Sequence, residues 1–123
     1  MLGLNRKMRV FAHVGAVDMR KSFWTLSALV QSGGREIVDG DVFLFTGRCR
    51  RRCKVLWFDG TGLVLLSKLL EQGRFALVSE RAAAAGVAEM TTSELMVFLE
   101  GSEVVGKKSI VAKTFSFEKA KDE

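Results

Sequence analysis

Apolar and polar positions alternate in blocks that predict a small set of elements. Val42–Phe45 and Val55–Phe58 are short apolar runs flanking a polar stretch that opens with Gly47. Runs of this length, bounded by turn residues, read as strands, and a stretch as polar as the one between them stays in water. Val42–Phe58 is therefore predicted to be an antiparallel hairpin. Asp59-Gly60-Thr61-Gly62 supplies a second turn, since Asp-Gly pairs tolerate the positive φ of tight turns. Leu63–Leu70 follows; its place after that turn favours a third strand, with a short helix as the alternative. Gly73-Arg74-Phe75 closes the unit and Ala76–Val78 adds a few extended residues.

Upstream, Val10, Ala12 and Val14 alternate with Arg9, Phe11 and His13, which predicts a strand within Met8–Val17. Asp18 then reads as an N-cap, with Met19, Phe23, Leu26, Leu29 and Val30 forming one apolar helical stripe that Gly33-Gly34 ends. Arg35–Asp41 is a loop. Ala82–Ala85 is a helical turn or an insertion. Thr91-Thr92-Ser93-Glu94 fits a capping box, and it opens a helix over Thr91–Glu100, with Leu95, Met96, Phe98 and Leu99 as its apolar face and Gly101 at its end. Gly106–Glu123 carries five lysines, three acids and two phenylalanines. It is expected to be a mobile basic tail with a transient strand around Ile110–Phe117. The fold expected is α+β: a single domain over 1–105 in which an antiparallel hairpin and meander sheet packs two helices.

Composition narrows the class. A chain of 123 residues, 48% hydrophobic and 27% charged, is large enough to bury one core unaided. Its net charge of +5 raises the expectation of an anionic partner such as nucleic acid. The two cysteines, Cys49 and Cys53, have only His13 beside them, too few ligands for a structural zinc site, so free thiols are expected. No apolar run approaches the length of a membrane span, and Val10–Val17 is too short and interrupted for a signal peptide. A cytoplasmic protein is expected.

Catalytic patterns are missing. Asp18, Asp39, Asp41, Asp59 and Glu71 fall in turns and caps, the lone histidine has no triad around it, and Gly60-Thr61-Gly62 lacks the Lys-Ser/Thr ending of a phosphate loop. No enzyme, cofactor or metal is expected. The distinctive chemistry is the loop Arg48–Lys54, in which Arg48, Arg50, Arg51, Arg52 and Lys54 are five cations in seven positions. Arginine forks suit bidentate contacts with phosphates and guanine edges, and a two-stranded ribbon fits a major groove. Arg20 and Lys21 at the start of the first helix, with Lys68 and Arg74, are candidate supporting phosphate contacts. The rival expectation is protein docking through exposed apolar residues such as Trp24, Phe115 and Phe117.

Four segments add a resemblance. Asp18-Met19-Arg20-Lys21-Ser22-Phe23, Lys54-Val55-Leu56-Trp57-Phe58-Asp59-Gly60-x-Gly62-Leu63, Lys68-x-Leu70-Glu71-x-Gly73-Arg74-Phe75 and Leu99-Glu100-Gly101 stand in the order found in one family. Over roughly Met8–Gly101 the chain resembles the small TnpB-type accessory protein, the second reading frame, of bacterial insertion sequences of the IS66 family. The resemblance implies a protein encoded beside a separate transposase and needed for efficient transposition. DNA and the transposase are its implied partners, and DNA cutting is left to that transposase. The chain departs from the family in having Trp24-Thr25 where an aspartate-glycine pair is usual, in having no proline, in its longer tail and in its loop cysteines.

Overall fold

The computed structural model describes residues 3–78 and 86–101. The alanine stretch Ala82–Ala85, the tail 106–123 with its expected strand, and Phe115 and Phe117 lie outside the described residues. The order of elements is β1 (Val10–Ala16), α1 (Phe23–Ser32), a short 3-10 turn (Ile37–Asp39), β2 (Val42–Thr46), β3 (Arg52–Phe58), β4 (Leu63–Leu69), β5 (Val87–Met90) and α2 (Thr92–Leu99). One five-stranded sheet runs β4-β3-β2-β1-β5.

The α+β class with two helices and the β2–β3–β4 meander agree with the sequence pattern. Leu63–Leu69 is a strand, paired antiparallel to β3 from Arg52↔Leu69 to Phe58↔Leu63. The sheet as a whole is mixed rather than antiparallel, because β1 lies parallel to β2. A parallel neighbour requires a crossover, and α1 provides it. β5 then closes the other edge, antiparallel to β1.

Both faces of the sheet are buried, and the strand alternation sorts the side chains. Val10, Ala12, Val42, Leu44, Cys53, Val55 and Trp57 point to one face, where Leu95, Phe98 and Leu99 of α2 and the segment Leu70–Val78 cover them. Phe11, Phe43, Phe45 and Leu56 point to the other, under Leu26 and Val30 of α1. This two-sided burial is why β2 reads as an unbroken apolar run. Each fully buried Leu, Val or Phe contributes about 1.5–3 kcal/mol.

Asp18 does not cap α1. Its Oδ1 accepts from the Arg20 N–H at 2.9 Å and the Lys21 N–H bonds back to the Asp18 carbonyl at 3.1 Å, closing a turn ahead of the helix. An Asp side chain that bonds its own backbone two residues on competes with capping. Ser22 is the N-cap instead, its N–H donating to Thr25 Oγ1 at 2.8 Å. Phe23 is consequently 40% exposed rather than part of the helix stripe. The far end is as the glycines predict: Arg35 N–H bonds the Val30 carbonyl and Gly34 N–H the Gln31 carbonyl, with Gly34 at φ +88°. That pairing is a Schellman motif.

α2 begins with the reciprocal box the sequence predicts. Glu94 N–H donates to Thr91 Oγ1 at 3.0 Å and Thr91 N–H to Glu94 Oε1 at 2.8 Å. Gly101, at φ +84°, follows the helix; an added Cβ there would meet Leu70 Cδ1 at 2.9 Å. No helix among the described residues is long and apolar enough to cross a membrane.

Candidate nucleic-acid interface

The site begins with a bulge in β1. Between Ala12 and Ala16 the strand takes four steps while β2 takes two, from Leu44 to Thr46, with Gly15 at φ +95° inside the irregularity. Beyond it the Val17 N–H bonds the Thr46 carbonyl at 2.9 Å. The chain is thereby carried over the start of the β2–β3 loop, and the Asp18 turn lands beside Gly47.

The loop itself is short and tied down. Gly47 N–H bonds the Arg52 carbonyl at 3.0 Å and Arg50 N–H the Gly47 carbonyl at 3.0 Å. Arg50 has a left-handed φ of +57°, which a non-glycine residue holds only when its surroundings fix it. They do so: the Phe75 N–H donates to the Arg50 carbonyl at 2.6 Å and the Arg50 Nη1 donates to the Phe75 carbonyl at 3.1 Å. Phe75 in turn stacks on Phe98 of α2 at 5.2 Å. Arg51 is held next to it, its carbonyl accepting from the Leu70 N–H at 2.7 Å and its Nη2 donating to the Leu70 and Glu71 carbonyls at 3.0 and 3.1 Å.

The expected ribbon is therefore a hairpin, as predicted, but it does not project into water as a finger. Both of its strands have a neighbour on the outer side, β1 for β2 and β4 for β3. Its tip rests against Leu70–Phe75.

The nine candidate cations sort into groups. Arg20, Arg48, Arg51 and Arg52 come together around one open cleft of about 500 Å³, with Ala16, Val17, Met19, Gly47 and Cys49 completing its walls. Asp18 is the one carboxylate among the described residues of that lining, where four guanidiniums leave an excess of three positive charges. Arg20 clamps Asp18 with Nη2–Oδ2 at 2.7 Å and Nε–Oδ1 at 3.1 Å, and these side-chain bonds hold the Asp18 carboxyl well below the usual carboxylate range. The side chains of Arg48 and Arg52 are exposed and make no hydrogen bond or ion pair with the described residues.

The other cations serve the fold or stand aside. Lys54 Nζ donates to the Lys21 carbonyl at 2.7 Å, stitching β3 to the turn before α1. Lys68 Nζ donates to the Leu99 carbonyl at 2.6 Å, meeting one of the unsatisfied carbonyls at the end of α2. Arg50 is turned toward Phe75, and Lys21 and Arg74 do not line the cleft.

The remaining chemistry is sparse. Among the described residues no cluster of three or more His, Cys, Asp or Glu is placed to hold a metal ion. His13 Nδ1 is buried with no hydrogen-bond partner among the described residues and the ring lies 5.9 Å from Phe45, a packed position rather than a clustered one. Cys49 and Cys53 are free thiols, the first exposed and the second buried. The sequence pattern points to Arg20 for a local reason that does not hold, a helix first turn that it does not occupy. It gives no sign of Met19 and Asp18 as cleft walls, which only the β1 bulge brings there.

Residues 8–109 match the family described as IS66 Orf2 like protein. The chain belongs to the IS66 Orf2-like family. Proteins of this family are accessory proteins of insertion sequences, which supports a role in transposition. The chain is also 35% identical over 97 residues to the uncharacterized protein y4hO of Sinorhizobium fredii (strain NBRC 101917 / NGR234), covering 78% of this chain and 84% of that one. It is 35% identical over 78 residues to the uncharacterized protein y4jC of the same strain, covering 61% and 65%. No solved structure matches the chain. The family match spans the whole cleft, from the β1 bulge to the β3 arginines.

Proposed function

We propose that this IS66 Orf2-like protein is a non-catalytic transposition accessory that holds DNA in the cytoplasm through its arginine cleft. The observation that carries the reading is the gathering of Arg20, Arg48, Arg51 and Arg52 around one open concavity whose lining has a single carboxylate among the described residues. Guanidinium forks in that arrangement suit the bidentate capture of phosphate oxygens. Arg48 and Arg52 make the contacts with least prior commitment, and Lys21 and Arg74 extend the basic surface. Arg50, Lys54 and Lys68 act through the framework. DNA cutting and joining fall to the transposase partner.

The test is a gel shift and an anisotropy titration of the full chain with DNA at low salt. Arg48→Ala/Arg52→Ala is expected to weaken binding while leaving the circular dichroism spectrum unchanged. The slope of log K against log salt should become shallower by roughly 1 for each phosphate deprived of its cation. Unchanged DNA binding overturns the reading.

A second reading has its own observation. Trp24 is 79% exposed and the adjacent Phe23 is 40% exposed, an aromatic pair at the start of α1 that suits docking on the transposase. Under that reading Trp24→Ala abolishes transposase pull-down and the double arginine variant does not.

A further inference from the structure

The charge pattern predicts a ribbon that reads a duplex, and the setting of the hairpin argues otherwise. A ribbon enters a major groove about 12 Å wide only if both strands stand clear of the body. Here the two strands are inner members of a five-stranded sheet, and at about 4.8 Å per strand spacing the sheet is roughly 19 Å across. The loop joining them is fastened through Arg50 and Arg51 to Leu70–Phe75. Arg48 and Arg52, whose side chains have no partner among the described residues, line a concave cleft of about 500 Å³ together with Arg20 and Arg51, the size of a small-ligand pocket. A concave basic cleft takes a strand that bends into it, whereas a duplex presents a convex cylinder.

A second feature points the same way. Trp24 lies four residues beyond Arg20, within about 14 Å of chain, and is the most exposed large apolar side chain among the described residues at 79%. Basic grooves with an aromatic platform alongside are how proteins hold single strands without sequence preference, phosphates on the cations and a base on the ring.

We infer that the cleft takes single-stranded DNA, with the backbone on Arg20, Arg48 and Arg52 and an unpaired base stacked on Trp24. This rests on the nucleic-acid reading proposed above.

The two tryptophans allow a direct test. Trp57 is fully buried, so quenching by a stacked base reports on Trp24. The full chain is titrated with a fluorescein-labelled 20-nucleotide oligothymidylate and, separately, with a blunt 20-base-pair duplex. The expected result is at least tenfold tighter binding of the single strand, with quenching of the exposed tryptophan by an unlabelled oligothymidylate. Trp24→Leu keeps an apolar side chain and removes the stacking platform; it should weaken single-strand binding about five- to hundredfold, the range for one stacked base. Duplex binding as tight as single-strand binding overturns this inference and leaves the proposed function standing. Single-strand binding that Trp24→Leu does not weaken overturns the stacking and returns Trp24 to a protein partner. Binding of neither probe removes the DNA reading altogether.

Discussion

Gly47 and Met19 approach so closely that the glycine has no room for a side chain. A Cβ built on Gly47 would stand 2.8 Å from Met19 Cγ, inside van der Waals contact. Met19 is itself packed against the α1-side core, so it does not simply swing away. This contact seats the Asp18 turn on the β2–β3 loop and so holds the two walls of the cleft together. Gly47→Ala should cost about 1–3 kcal/mol, the usual penalty for overpacking. Chemical denaturation checks this, and Met19→Ala in the same chain should restore part of the stability as a favourable coupling. Additive effects of the two substitutions would mean that the contact does not position the turn.

Three of the four arginines of the cleft should separate into one that supports the fold and two that do not. Arg51 donates to two carbonyls at the end of β4, and removing it leaves those carbonyls to water. Arg51→Ala is expected to cost about 1 kcal/mol, a typical net value for hydrogen bonds at a wet site. Arg48→Ala and Arg52→Ala should stay within about 0.5 kcal/mol of the parent. Urea denaturation of the three variants side by side provides the comparison, and equal destabilisation would contradict the assignment.

Most of the local structure is legible in the chain because it is decided by neighbours in sequence. Thr91 and Glu94 lie one helical turn apart and cap each other, Gly33-Gly34 ends α1, and Asp59-Gly60 turns β3 into β4. The cleft is less legible because its walls meet through non-local events. Nothing local to Val10–Ala16 says that it pairs parallel to β2, or that two residues bulge out before Ala16. Asp18 shows the limit of a propensity argument: the residue type suits both an N-cap and an Asx turn, and here it forms the turn, with Met19 packed beside Gly47. The basic loop is visible as charge, but its orientation is set by Phe75 and Leu70, some twenty residues away.

The Asp59 turn predicts a pH dependence. Asp59 Oδ1 accepts from the N–H groups of Thr61 and Gly62 and from the Thr61 hydroxyl, all between 3.0 and 3.1 Å. The backbone bond from Thr61 contributes most to holding the Asp59 carboxyl below its ordinary value. A carboxylate whose pKa is lower folded than unfolded stabilises above the unfolded value of about 3.9, and that contribution fades as pH falls through the folded value. Asp59→Ala should therefore melt below the parent at pH 7, and the two melting temperatures should converge as the pH falls through the folded value. A gap that stays constant with pH would show that the charge is irrelevant and that only the turn geometry matters.

The two thiols should react on different clocks, and the difference tests whether β3 is buried as described. Cys49 lies exposed in the cleft wall, whereas Cys53 faces the α2-side core with no exposed surface. Burial pushes the Cys53 thiol up to about 12, so almost none of it is thiolate at pH 8, and the thiolate is the reactive form. A disulfide-exchange reagent at pH 8 should titrate one thiol quickly in the native protein and two in urea. Cys49→Ser should remove the fast phase and leave the slow one, whose rate then follows the opening of the β2–β3–β4 sheet rather than the reagent's own chemistry. Adding urea below the unfolding midpoint should speed that slow phase. Two fast thiols in the native state would place Cys53 at the surface and would break the register Thr46↔Cys53 on which the hairpin, and with it the arrangement of the cleft, depends.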